Sequence, residues 1–286
     1  MRTIGIEQFV DIKRYPILDE SSAKYQSIVN RCLQSIADKG CCSLSGFITK
    51  EKVDLMIKES EERRKHAVFT NAKTNVYFSK DDKSLPTDHP KRIFFERKNQ
   101  FIAGDSFNKD TVTKIIFHSK KFQNFVRRCM GEKELYEYKD PIAQLAVNIL
   151  SPNNNFPWHF DTNEYTTTIV LTQAEEGGIF EYVPFIRTPK SENFPEISSL
   201  LKEEEGGQIV HLELKPGDLQ LFKGRFSLHR VTKNKGSTDR LTVILAYASK
   251  PNIIGTVERT KQVYGRALPI HYEAEKNKIR SDSLSD

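Results

Sequence analysis

The chain has 286 residues, and 44 Lys and Arg against 38 Asp and Glu leave a formal net charge of +6. A hydrophobic share of 37% with 18 Phe and 10 Tyr provides material for a large core and excludes wholesale disorder. No run approaches the ~18 consecutive apolar residues of a membrane helix, the N-terminus MRTIGIEQFVDIKRYP has no signal-peptide character, and the charge is too mild and scattered for a nucleic-acid stripe. The four cysteines (32, 41, 42 and 129) form no CxxC pair. They therefore predict neither a disulfide scaffold nor a structural zinc site, and a reducing, cytoplasmic setting is expected.

In chain order, Tyr25, Ile28, Val29, Cys32, Leu33 and Ile36 fall at helical spacing, predicting an amphipathic helix over 20–39. Asp19 or Ser21 is the expected cap, and Gly40 the left-handed stop. A short strand is expected over 42–47, and a second helix from the cap Thr49 to about Arg64. The polar stretch 69–90 reads as a long loop able to act as a lid. A third helical region is expected over 110–130, ending at Gly131.

The pattern changes near Pro141. Strands are expected at 142–150, in the β-branched run YTTTIVLT (165–172), at 179–183 after Gly177-Gly178, at 208–214, at 219–222 after the Pro216-Gly217-Asp218 turn, and at 240–248. A helix is expected over 194–205. Short strands separated by turn signals predict an α+β fold in which a jelly roll carries helices outside it. The expected layout is one domain over 1–275, comprising a helical part (1–140), a jelly-roll core (141–250) and a C-terminal extension (251–275). A frayed tail is expected over 276–286.

One constellation carries chemistry. In His159-Phe160-Asp161 an extended backbone turns residues i and i+2 to the same side. An HxD alone is a weak signal, and His211-Leu212-Glu213 and His271-Tyr272-Glu273 are similar enough to be decoys. His159 is singled out by His229, 68 residues after Asp161, and by Arg240, eleven residues further on. A hairpin through Asn234-Lys235-Gly236 would set His229 and Arg240 on neighbouring strands. Thr242 shares the face of Arg240, and a guanidinium beside a hydroxyl suits a carboxylate. Two histidines and one carboxylate leave open positions on a metal, the donor set of non-haem Fe(II) oxygenases.

WHFD, KPGDLQLF, SLHRV and DRLTVILAY together resemble the Fe(II)- and 2-oxoglutarate-dependent dioxygenase superfamily over about residues 142–248. The likeness is looser to the branch that hydroxylates or chlorinates free amino acids. It implies a double-stranded β-helix, with Fe(II) on His159, Asp161 and His229. It also implies Arg240 and Thr242 on the far carboxylate of 2-oxoglutarate, with O₂ as the oxidant. Halogenating members replace the acidic ligand by Gly or Ala. This chain keeps Asp161, so hydroxylation of an unactivated C–H bond is the implied reaction.

Candidate substrate contacts are Asn148 (or Gln144, on the same strand face), Trp158, Asn163, Glu164 and Tyr165 beside the ligands, and Arg92 or Arg97 for a carboxylate. The expected partner is a small polar molecule, a free amino acid with a cationic side chain above all, and neither nucleic acid nor membrane. Two alternatives stand beside it: the same chemistry on a protein side chain, and a cupin-like metal-binding protein without turnover.

Overall fold

Tyr25, Ile28, Val29, Cys32 and Ile36 line the buried stripe of the first helix, α1 (Ala23–Lys39). Its cap is Ser22, whose hydroxyl accepts from the Tyr25 amide, and Gly40 ends it at φ 64°. The computed structural model describes residues 5–202, 208–277 and 282–285. After α1 come β1 (Cys41–Leu44), α2 (Lys50–Arg63), β2 (Val68–Thr74), β3 (Phe95–Ala103), α3 (Val112–His118), α4 (Lys120–Met130) and β4 (Tyr136–Glu137). Then follow β5 (Leu145–Leu150), β6 (Phe156–His159), β7 (Tyr165–Val170), β8 (Phe180–Val183), α5 (Phe194–Leu201), β9 (Val210–Leu212) and β10 (Leu219–Phe222). The described chain closes with β11 (Leu228–Val231), β12 (Arg240–Ala248), α6 (Val257–Tyr264) and α7 (Pro269–Lys276).

The strands form two antiparallel sheets. The larger runs β1-β10-β7-β12-β5-β3-β2, with β4 on β12, and the smaller runs β6-β11-β8-β9. This is the expected jelly roll. The central strands of the larger sheet are buried on both faces, and period-2 alternation sorts their side chains. Leu145, Val147, Ile149, Leu241, Val243, Leu245 and Tyr247 pack with the N-terminal helices. Asn148, Thr166, Thr168, Gln220, Arg240 and Thr242 turn the other way, into the space between the sheets. A hydrophobic face thus fastens the sheet to its helices, while the opposite face sets these polar groups among apolar ones such as Phe101, Phe222 and Ile244.

Several expectations need correction. The stretch 69–90 is not a free loop: its first residues are β2, paired with β3 from Val68↔Phe101 to Thr74↔Phe95. Asn75 to Phe78 then dive into the core. The polar side chains of β2 belong to an edge strand with a solvated face, which mimics loop composition. Strand β3 and helices α6 and α7 carried no expected assignment. The 110–130 region is two helices, interrupted at Ser119, which caps the second by accepting from Phe122. The helix expected over 194–205 is described to Leu201, and its expected end lies outside the described residues. In the expected tail, Leu284 is buried and Asp282 accepts two hydrogen bonds from Arg225 at 2.7 and 2.8 Å. Among the described residues no helix is long and apolar enough to cross a membrane.

Candidate active site

His159 ends β6 and His229 sits in β11, directly opposite it in the ladder. Their rings lie 4.0 Å apart, centroid to centroid. Asp161 follows two residues after His159. The donor atoms of the three residues all fall within 4.8 Å of one another. Each imidazole is oriented by its own backbone: His159 Nδ1 meets Pro157 O at 2.8 Å and His229 Nδ1 meets Ser227 O at 2.9 Å. A carbonyl at Nδ1 fixes the proton there and leaves Nε2 as the donor to a metal. The two Nε2 atoms face Asp161 Oδ1 at 3.9 and 3.5 Å.

Charge follows the same logic. Burial pushes His159 well below its ordinary value, and the charge of His229 adds to this, so the ring is neutral and ready to ligate. Burial alone would raise Asp161, but His229, His159 and the Thr166 hydroxyl outweigh it and hold the carboxyl below the usual range. Thr166 Oγ1 donates to Asp161 Oδ2 at 2.6 Å. A neutral His159 beside an ionised Asp161 is the protonation state that a divalent metal needs of these two donors.

Arg240 lies across the same cavity. Its guanidinium is buried and donates to Thr242 Oγ1 at 2.7 Å, and no carboxylate partner is present for it among the described residues. Burial lowers its pKa to about 10, which still leaves it charged at neutral pH. The expected hairpin between His229 and Arg240 is not formed. Strand β11 pairs with β6 and β8, whereas β12 pairs with β5 and β7. The two residues face each other across the sandwich, because the loop between them passes from one sheet to the other.

The remaining candidates divide. Asn148 and Asn163 line the cavity. Asn148 Oδ1 accepts from Asn99, which in turn accepts from Arg97 Nε at 2.8 Å. Arg97 stands one layer behind the wall, fully buried, with three phenyl rings about it and Nη2 without a hydrogen-bond partner. Trp158 is placed elsewhere: with His159 inward, alternation turns it outward, where Arg230 stacks 4.4 Å above its ring. The same rule turns Thr166 inward and Tyr165 into the helix-side core. Arg92 is spent on Asp81 at 2.9 Å, away from the cavity. Glu164 accepts from Ser249 and does not line the cavity.

Three residues that sequence reasoning passed over line the wall: Asp140, Thr260 and Arg259. Asp140 Oδ1 accepts from the amides of Ile142 and Ala143, and Oδ2 faces His271 Nε2 at 3.0 Å. His271 is therefore not an exposed decoy but the buried partner of a cavity carboxylate. His211 is exposed and pairs with Glu181. An Asp placed just before a Pro reads locally as a turn, so Asp140 gave no functional signal.

The family description halogenase D matches residues 26–264. The chain belongs to the halogenase D family. It is a non-haem oxygenase that takes Fe(II), 2-oxoglutarate and O₂, in keeping with its clustered His159, Asp161 and His229 and its buried Arg240. No curated protein matches the chain. Solved structures share the fold of this oxygenase at low identity. The 2-oxoglutarate-dependent epimerase SnoN of nogalamycin biosynthesis is 14% identical with TM-score 0.56, covering 78% of this chain and 81% of SnoN. A 2OG-Fe(II) oxygenase-family protein from Burkholderia pseudomallei is 12% identical with TM-score 0.51, over 84% and 94%. A prolyl hydroxylase from Trichoplax adhaerens, bound to a hypoxia inducible factor peptide, is 15% identical with TM-score 0.52, over 85% and 98%. The cupin-like reading without turnover is thereby set aside.

Proposed function

We propose that the protein hydroxylates a small zwitterionic substrate, an amino acid or a derivative with a cationic group, at an unactivated C–H bond. The observation that carries this is the facial set His159, Asp161 and His229 beside the buried Arg240. His159 Nε2, His229 Nε2 and one Asp161 oxygen hold the metal. Arg240, steadied by Thr242, receives the distal carboxylate of 2-oxoglutarate. The bound iron supplies the oxidising power, using O₂ and the 2-oxo acid. Asp161 occupies the position at which a halogenating enzyme of the resembling branch has Gly or Ala, so the carboxylate denies a halide that coordination site.

The substrate reading rests on the opposed charges of the wall. Asp140 offers an anionic end, with Thr260 Oγ1 and Tyr138 OH beside its Oδ2 around Gly255. Arg259, whose guanidinium lies 4.6 Å from the Phe78 ring, offers a cationic end, with Arg97 behind the same aromatic residue. Such a wall offers complementary charge to both ends of a zwitterion, which orients it and favours it over a neutral molecule of the same shape. Asp140 takes the role first expected of Glu164, and Arg259 the role first expected of Arg92 or Arg97.

The test is a panel of free amino acids and short peptides with Fe(II), ascorbate and 2-oxoglutarate, read by mass spectrometry for a gain of one oxygen. A cationic amino acid is the expected substrate. Turnover of peptides with every free amino acid inert would favour the protein-side-chain reading. His159→Ala and His229→Ala are expected to lose metal binding and turnover, and His211→Ala to keep both.

A further inference from the structure

Asp161 lies beyond the end of β6, in a stretch without sheet partners. Its position is nevertheless over-determined, and much of the grip comes from Gly224 and Arg225. The Asp161 amide donates to Gly224 O at 3.1 Å. Arg225 Nη1 donates to Thr162 O at 3.0 Å, so the two residues bracket the loop from one side. The residue before Asp161 is held as well: Arg187 stacks 3.8 Å from the Phe160 ring and donates through Nε to Arg225 O at 2.6 Å.

Arg225 has no solvent exposure. A guanidinium so placed needs a carboxylate, since a buried charge left unpaired costs several kcal/mol. Asp282, from the far C-terminal segment, gives it a two-point contact, Nε to Oδ2 at 2.8 Å and Nη2 to Oδ1 at 2.7 Å. That fork–fork geometry fixes the plane of the guanidinium, and hence the direction of Nη1 toward Thr162. The segment is anchored a second time. Ser285 N donates to Glu192 and Ser285 O accepts from Arg187 Nη1 at 3.3 Å, while Leu284 is buried.

We propose that Arg225 and Asp282 are positioning residues for the metal centre, the C-terminal segment 282–285 serving as a strap that holds the Asp161 loop in ligating geometry. The inference rests on Asp161 being a metal ligand. The strap itself, however, is readable without metal.

The experiment compares the full chain with Asp282→Asn by two measurements. In metal-free protein, amide exchange over residues 161–163 is expected to quicken about tenfold while the β12 amides keep their protection. Mn(II) affinity, followed by electron paramagnetic resonance, is expected to weaken about 10–100-fold, the usual effect of losing a partner that orients a ligand. Unchanged exchange at 161–163 overturns the strap. Faster exchange with unchanged Mn(II) affinity overturns its role at the metal. Exchange that rises equally in β12 makes the pair a general brace and also overturns it. Should Asp282→Asn fail to fold, Arg225→Lys keeps the charge, gives up the fork to Asp282 and the Nη1 bond to Thr162, and is read in the same two ways. A wrong ligand set would show separately, as Mn(II) binding retained in His159→Ala.

Discussion

A Cβ on Gly224 would stand 1.9 Å from Oδ2 of Asp161. The glycine leaves the volume into which the carboxylate folds as it turns toward the two histidines. Gly224 is not at positive φ, so its requirement is space rather than backbone freedom. The obstructing atoms are the carboxyl group of Asp161, with Cγ at 2.7 Å as well as Oδ2, and that group must swing away from the histidines while the backbone stays in place. Gly224→Ala is therefore expected to keep its melting temperature within a few degrees and to lose at least tenfold in Mn(II) or Fe(II) affinity. Metal titration beside a thermal melt checks this, and retained affinity would show that Asp161 ligates in another pose.

Arg240→Ala is expected to raise the KM for 2-oxoglutarate by the equivalent of about 2–5 kcal/mol, with metal affinity nearly unchanged. The protein should still fold, because among the described residues no carboxylate depends on Arg240 and only the Thr242 hydroxyl loses a donor. An unchanged KM removes Arg240 from this role.

Asp140→Asn keeps the shape of the wall and removes its negative charge. We expect the KM for a cationic substrate to rise at least tenfold while 2-oxoglutarate consumption in the absence of that substrate is unchanged. Equal loss of both would show that Asp140 supports the fold and not substrate binding.

Burial lowers the pKa of His271, but the hydrogen bond and charge of Asp140 overcome this and leave it raised. A raised folded pKa means that the pair's contribution to stability is fully present below the unfolded value of about 6.5 and is lost as pH rises through the folded value. Thermal melts should therefore show wild type exceeding His271→Gln at pH 6, with the gap narrowing toward alkaline pH. A gap independent of pH would place His271 in a neutral hydrogen bond only.

The outline of the chemistry is legible in the residues alone. The HxD at His159 and Asp161, followed by His229, is legible as a donor pattern, and Arg240 with Thr242 because i and i+2 share a strand face; the structure brings the three donors together although Asp161 lies just past the end of β6. The strands at 165–170, 219–222 and 240–248 are legible because β-branched or alternating apolar residues and burial agree there. What lies between the sheets, or arrives from far along the chain, depends on the folded arrangement. His229 and Arg240 meet across the sandwich and not along a hairpin, since sheet assignment depends on which strands pair. Trp158 and Glu164 are near the ligands in sequence, yet alternation turns Trp158 away and Glu164 meets Ser249 outside the cavity, while Arg92 is held by Asp81. Asp140, Arg259 and Thr260 enter it from segments whose local sequence carries no metal or substrate signal. His271 looks like any HxE of an exposed helix until the fold buries it against Asp140. Its role is set by desolvation and by a partner 131 residues away, and neither is written in the residues beside it.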